Sequence, residues 1–298
     1  MADNKLDILV LLRETTDPRP PARLTADGYG IRDRGLRRLA NPADLCALEQ
    51  ALVLAESVGG RVTAVAVGPE RLADHLRLAL AMGAGRAVRV WSPAFQGGDA
   101  VSEARVVQRI IRILRPALIF AGEALLDRGD DPAPALAAAN LDLPYVKGAV
   151  ALERQGNKVE VLRKSDRGAR QRVRAEMPCA VFFENGCCEP RYPAQEDLMA
   201  SIEAVVESWG VAELGLSPLE MGAAGSVLGK DKCLFPRPNP RRVVTPDAEL
   251  PAFERILALL SGGIKPREGK VHSVSAEKAA DKLLDIFKAE GLIGGSGG

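Results

Sequence analysis

Histidine is almost missing from this chain: its 298 residues include only His75 and His272. That excludes a histidine-centred hydrolase and a multi-histidine metal centre. Aromatic residues make up only 4%. The core must therefore be Ala, Leu and Val, which suits helices on a parallel sheet better than an aromatic-rich sandwich. No apolar run approaches the roughly 18 residues of a membrane helix. Met1-Ala2-Asp3-Asn4-Lys5 lacks a signal-peptide layout, so a cytoplasmic chain is expected. Neither charge is in excess, with 40 Lys and Arg against 39 Asp and Glu and a net charge of +1. A general nucleic-acid binder and an acidic tail are both excluded. The five cysteines form an odd set without a CxxC, so they read neither as a disulfide framework nor as a zinc site. The vicinal pair Cys187-Cys188 reads first as thiols near a strand end, with a redox role as the alternative. No GxGxxG follows the first apolar run. Gly225-Ser226-Val227-Leu228-Gly229-Lys230-Asp231 is one residue short of a P-loop and has Asp231 where Ser or Thr belongs, so it is rejected.

What is present is a strand-helix alternation. Leu6 to Leu12 is a near-continuous apolar run, as a buried parallel strand requires. An irregular stretch follows from Arg13 to Arg38, with turn signals at Asp27-Gly28-Tyr29-Gly30. Asn41-Pro42 then opens a helix, with Asn41 expected to cap the free amides and Pro42 at the first helical position. Strands are expected at Val62–Val67, Ala87–Trp91 and Ala117–Ala121. Helices are expected at Glu70–Met82, Val101–Leu114 and Ala133–Asn140. The result is an α/β fold with a doubly wound, mostly parallel sheet. Ala149–Leu152 and Lys158–Leu162 flank Gly156-Asn157 as a hairpin, and Arg172–Ala175 and Cys179–Phe183 are expected as an antiparallel extension. Leu198 to Trp209 reads as a helix. Residues 1–209 are expected to form the nucleotide-type domain. Residues 210–298 are expected as an arm, rich in Gly and Pro from Gly210 to Arg242, plus a last helix at Ala276–Glu290. Such an arm is expected to wrap a partner subunit, so deleting everything after Gly210 is expected to lower affinity for that partner while leaving the sheet folded. Gly294 to Gly298 is low complexity.

In open parallel sheets ligands lie beyond the carboxyl ends of the strands, at the switch point. The candidate places are Leu11-Leu12-Arg13, Val67-Gly68-Pro69 and the loop from Gly122 to Ala133. That loop joins a strand to a helix start, where free amides can face a phosphate. Its aspartates can cap the helix or bind a ribose; a solvated acidic loop is an equal reading. No nucleophile, general base or metal set accompanies it.

Several blocks, taken in order, resemble the β subunit of electron transfer flavoproteins. They are Asp7–Arg13, Asn41-Pro42-Ala43-Asp44 with Ala47–Leu52, Val65–Pro69, Leu76–Ala84, Asp127, Glu189-Pro190-Arg191-Tyr192-Pro193 and Gly269-Lys270-Val271. The resemblance runs from about residue 6 to 200 and resumes near the C-terminus. It implies an electron-transfer subunit rather than a stand-alone enzyme, paired with an α subunit that carries a redox-active FAD. It also implies a structural AMP or ADP in this chain. By position that nucleotide would touch Leu11, Asn41, Pro42, Ala43, Asp44, Val67, Gly122, Glu123, Ala124, Leu125, Leu126, Asp127, Arg128, Gly129, Asp130, Asp131, Pro132 and Ala133. No catalytic residue and no metal ligand is carried over.

The sequence departs from the family at informative places. Pro132, Ala133 and Pro134 replace a Gln, a small residue and Gly, which removes two backbone donors and an amide side chain from the phosphate end. Pro18 and Ala43 stand where the family has aromatics near the partner's flavin. Gln195 replaces the Leu that anchors acyl-CoA dehydrogenases, and Ala200–Ala204 replaces the basic run beyond it. A dedicated flavin-dependent dehydrogenase, of the amine or methylated-glycine type, is therefore expected to dock around Tyr192 to Met199. The alternative is a subunit of an electron-bifurcating flavoprotein that holds a second FAD and oxidises NADH. A third reading is a nucleotide-sensing or scaffolding protein of the same sheet type.

Overall fold

A computed structural model describes residues 6–21, 23–32, 35–229, 233–234, 246–260 and 273–289. His272, the Gly269-Lys270-Val271 block, the Gly294 to Gly298 tail, Lys230-Asp231 and the Phe235 to Arg242 part of the expected arm lie outside the described residues.

The chain divides into two compact units, Met1–Leu234 and Phe235–Gly298. The first is built on β1 (Asp7–Leu12), β2 (Glu14–Thr16), β3 (Arg38–Ala40), β4 (Arg61–Val67), β5 (Arg86–Val90), β6 (Leu118–Gly122), β7 (Tyr145–Gln155), β8 (Lys158–Lys164), β9 (Arg170–Glu176), β10 (Cys179–Phe183) and β11 (Glu207–Trp209). Its main helices are α1 (Pro42–Val58), α2 (Ala73–Met82), α3 (Ala100–Leu114), α4 (Pro132–Ala139) and α5 (Gln195–Ile202), with the short turns α6 (Val211–Leu214) and α7 (Gly222–Gly225). Nine strands form one sheet in the order β11-β5-β4-β1-β6-β10-β7-β8-β9. The pairs from β11 through to β7 are parallel, and β7-β8 and β8-β9 are antiparallel. The expected α/β fold with a mostly parallel sheet is what the structure has.

The unbroken apolar sequence of β1 follows from helices on both of its faces. Ile8, Val10 and Leu12 pack with Leu48 and Leu52 of α1 and Leu76 of α2. The intervening Leu9 and Leu11 pack with Val107 and Ile110 of α3 and Ala137 of α4. The period of two thus assigns each β1 side chain to one layer. Helix α1 begins at Pro42, ends at Val58 and is capped by Gly59, whose φ of 68° is the left-handed conformation glycine supplies most readily.

Three expectations need correction. Cys179–Phe183 is not part of the antiparallel extension: β10 lies inside the sheet, parallel to β6 and β7. All five of its residues are buried, and a strand covered on both faces belongs inside the parallel part. Leu198–Trp209 is not one helix. α5 ends at Ile202, and Glu207–Trp209 is an edge strand on Val88–Val90. Glu207 holds Arg86 through two bonds of 2.6 and 2.7 Å, and that guanidinium stacks 5.6 Å above the Trp209 ring. The described part of the expected arm, up to Gly229, is not extended. It folds against α3, where Leu214 and Met221 are fully buried.

In the second unit, α8 (Ala252–Leu260) and α9 (Ala276–Ala289) are described. Phe253, Ile256, Leu257 and Leu260 on α8 are exposed, as are Leu283, Leu284, Ile286 and Phe287 on α9. Among the described residues no helix is long and apolar enough to cross a membrane.

Candidate functional site

The sheet changes direction of winding between β1 and β6: β4 and β5 lie on one side, β10 and β7 on the other. This is the switch point where an open parallel sheet leaves a crevice at its carboxyl edge. Asp44, in the first turn of α1, closes the seam. Its Oδ1 accepts from the Gly122 N–H at 2.6 Å and its Oδ2 from the Arg13 N–H at 2.7 Å. One carboxylate thus ties the end of β6 to the residue that follows β1. The approach requires glycine, because a Cβ on Gly122 would lie 2.6 Å from both Ala43 Cβ and Asp44 Oδ1. Burial pushes the Asp44 carboxyl up to about 7, against the Gly122 N–H, which favours the anion.

Asn41 does not cap α1 with its side chain. Its Nδ2 donates to the Ala124 carbonyl at 3.0 Å and its Oδ1 accepts from the Leu126 N–H at 3.2 Å. The amide therefore clamps the loop after β6. Asp127 adds a second clamp: its Oδ2 accepts from the Thr16 N–H at 2.9 Å, and its own N–H donates to Thr15 Oγ1 at 3.1 Å. Within the loop, Leu125 is buried and its N–H donates to the Asp130 carbonyl at 3.2 Å. Gly129 takes a φ of 76° and returns its N–H to the Leu125 carbonyl at 2.8 Å.

Arg13 places a buried positive charge beside the seam. Its Nη2 lies 2.5 Å from Glu103 Oε2 on α3 and 3.5 Å from Asp131 Oδ1 at the start of α4. Burial alone would lower the pKa of Arg13, but the carboxylates of Asp131 and Glu103 overcome it and hold the guanidinium charged. Burial raises the pKa of Asp131, with Arg13 opposing. The cluster closes over a cavity of about 60 Å³ lined by Val67, Trp91 and Phe95.

Beside it opens a cleft of about 780 Å³. Asp17, Asp99, Asp127, Asp130 and Arg128 are its charged lining residues, with Tyr29, Ile31 and Leu36 among its apolar ones. Asp99 caps α3 through the Ser102 N–H at 2.8 Å and also accepts from the N–H groups of Val227 and Leu228 at 2.7 and 2.8 Å. The Ser102 bond leads in holding its carboxyl down at about 2.

Of the positions the resemblance pointed to, Leu11, Ala43 and Ala133 are buried in the packing beneath the crevice. Asn41, Asp44, Gly122, Ala124, Leu126 and Asp127 form the seam and clamps. Pro42 starts α1, and Glu123 faces Lys147 at 3.8 Å. Val67 lines the small cavity. Arg128, Asp130 and Pro132 line the cleft, Gly129 turns the loop, and Asp131 pairs with Arg13. Thr15, Asp99 and Glu103 were missed by sequence reasoning. Only Asp99 had a local signal, an N-cap position before a helical stripe.

These residues do not fit a nucleotide phosphate. The cleft is large enough for an adenosine, but among its described lining residues four carboxylates stand beside one guanidinium. At the start of α4, Pro132 and Pro134 offer no N–H, and the buried Asp131 carboxylate already takes the nearby cation. The side chains of Asn41, Asp44 and Asp127 are bonded to the chain's own backbone.

The chain matches a family model described as the electron transfer flavoprotein domain over residues 30–214. It is 29% identical to the electron transfer flavoprotein subunit beta of Methylophilus methylotrophus over 226 residues, covering 74% of this chain and 86% of that protein. The subunit of the same name from Syntrophomonas wolfei is 32% identical over 197 residues, 66% of this chain and 76% of that protein. Protein FixA of Azotobacter vinelandii is 30% identical over 220 residues, 71% of this chain and 78% of that protein.

Proposed function

Because the chain belongs to the electron transfer flavoprotein family, among its β subunits, we propose that it is the β-type half of a heterodimer whose α-type companion presents the redox-active FAD. The chain's own part is to form a rigid platform, held at its rim by the Asp44 seam and the Asn41 clamp, against which the companion's flavin domain is positioned. The observation that carries the reading is the family match across most of the sheet. The exposed apolar residues of α8 and α9 support it, since neither helix covers them within its own unit. Tyr192, 98% exposed, and Met199, 62% exposed, support the segment from Tyr192 to Met199 as the docking surface for a flavin-dependent dehydrogenase.

An AMP or ADP in this chain is not part of the proposal, because Pro132 and Pro134 withhold two N–H donors at the α4 start and the buried Asp131 carboxylate stands there. The bifurcating alternative would put the pyrophosphate of a second FAD in the same place and meets the same obstacle.

The test is co-expression with the α-type subunit of the same organism, then size exclusion, absorption spectra and mass spectrometry of heat-released small molecules. A one-to-one complex with a single FAD and no stoichiometric adenine nucleotide is expected. A chain that never associates sinks the subunit reading. A second FAD reducible by NADH sinks the choice against bifurcation, and an AMP in the complex sinks the charge argument.

A further inference from the structure

Three thiols that are far apart in sequence meet on the α1 face of the sheet. Cys46 is buried on α1, and Cys187 and Cys188 lie half-buried in the turn after β10. Their sulfur atoms all lie within 4.8 Å of one another, a grouping of metal-ligating side chains that local sequence spacing does not reveal. Two rigid elements hold the arrangement. The Cys46 thiol donates to the Cys188 carbonyl at 3.4 Å, and the Cys188 thiol donates back to the Cys46 carbonyl at 3.6 Å. Three residues further on, the Arg191 N–H and guanidinium bond Glu49 of α1 at 2.9 to 3.1 Å, which pins the cysteine turn onto the helix.

We propose that Cys46, Cys187 and Cys188 form a three-sulfur site for a soft d10 cation of the Cu(I) class. Bonds of about 2.3 Å from sulfur to metal set ligand sulfurs roughly 3.8 to 4.0 Å apart, so the observed cluster needs only small side-chain rotations to close on an ion. Thiolate ligands select soft cations, and among the described residues no carboxylate or imidazole belongs to the cluster. Zn(II) in a structural protein site almost always takes four ligands, and this cluster supplies three. The ligands shed their protons as the ion binds, so the site is filled by exchange of protons for metal. The proposal is independent of the electron-transfer reading.

The test uses the full-length chain, reduced and held under anaerobic conditions, titrated with Cu(I) against a colorimetric Cu(I) chelator and separately with Zn(II). One Cu(I) per chain is expected, with an X-ray absorption edge and shell of three sulfurs. Cys187→Ser, at a half-exposed position that leaves the fold intact by circular dichroism, and Cys46→Ser should each weaken binding by at least about 100-fold, beyond what loss of an outer-shell partner does. Cys233→Ser should leave binding unchanged. Cu(I) affinity equal in wild type and Cys187→Ser overturns the proposal. So does Zn(II) binding that Cu(I) fails to displace, or a native disulfide among the three cysteines. Co-expression of the subunits leaves this readout separate from the FAD count.

Discussion

The carboxylate of Asp44 sits 2.6 Å from the backbone nitrogen of Gly122, so a helix side chain closes the point at which β1 and β6 part. The same carboxylate is fully enclosed and carries a raised pKa. Asp44 rises from the ordinary 3.8 to about 7 on folding, so the native state holds more protons than the unfolded chain between those values. Its contribution is complete below about pH 4 and is lost as pH climbs through 7. Unfolding free energies from urea titrations at pH 5, 6, 7 and 8 should fall for wild type relative to Asp44→Asn, by a difference on the order of 1–4 kcal/mol across the range. Asp44→Asn should also cost about 1–3 kcal/mol at pH 5, because one of the two N–H groups meets an amide NH₂. Parallel pH curves for the two proteins would exclude Asp44 as the titrating group.

Gly122→Ala should destabilise the chain by about 1–3 kcal/mol, because the new methyl meets both Ala43 Cβ and the Asp44 carboxylate at 2.6 Å. Adding Ala43→Gly should recover only part of the loss, since the carboxylate contact remains. Thermal melts of the three proteins check this, and full recovery would contradict it.

Asn41→Ala should release the loop more than the fold. Hydrogen exchange of residues 123–131 should accelerate while β1 and β4 stay protected, because both lost bonds go to Ala124 and Leu126. Uniform acceleration across the sheet would point instead to a core role.

Arg13→Met should cost about 3–5 kcal/mol near neutral pH by stranding the Asp131 carboxylate, which is only 4% exposed. The loss should shrink at lower pH, where Asp131 takes a proton. Pairing the change with Asp131→Asn should restore most of the stability, and chemical denaturation of both proteins at two pH values measures it.

Truncation separates the two units. Ending the chain after Leu234 should leave the melting of the sheet domain unchanged and reduce co-elution with the α-type subunit. Ending it after Gly210 should destabilise the sheet itself, since Leu214 and Met221 leave the core, at about 2–5 kcal/mol per large side chain. Equal melting of the two truncations would mean that residues 211–234 contribute nothing to the fold.

The sheet was legible because β1, β4 and β6 write their burial as short, largely apolar runs and β5 as β-branched residues around Arg89, each bounded by Gly, Pro or charge. The position of β10 was not, because a fully buried strand has the same composition beside a parallel or an antiparallel neighbour. Glu207–Trp209 was read as helix because three residues carry no period, and only the Arg86 contact across the sheet decides them. At the crevice, the chemistry of Asn41 and Asp44 could be named from sequence but not their partners. Each serves backbone about 80 residues away, at Ala124 and at Gly122. Cys46 and Cys188 stand 142 residues apart, so no local spacing rule could join them.

Among the described residues the nine-stranded sheet ends in two strands, β11 and β9, that have a neighbour on one side only. Of these, β11 offers only three residues. The other, β9, carries Arg170, Arg172 and Arg174, the last two drawn onto Glu160 of the neighbouring strand at 2.7 and 2.9 Å. A stub and a charged fringe are poor templates for strand addition. Polymerisation of this sheet through these two edges is thereby discouraged.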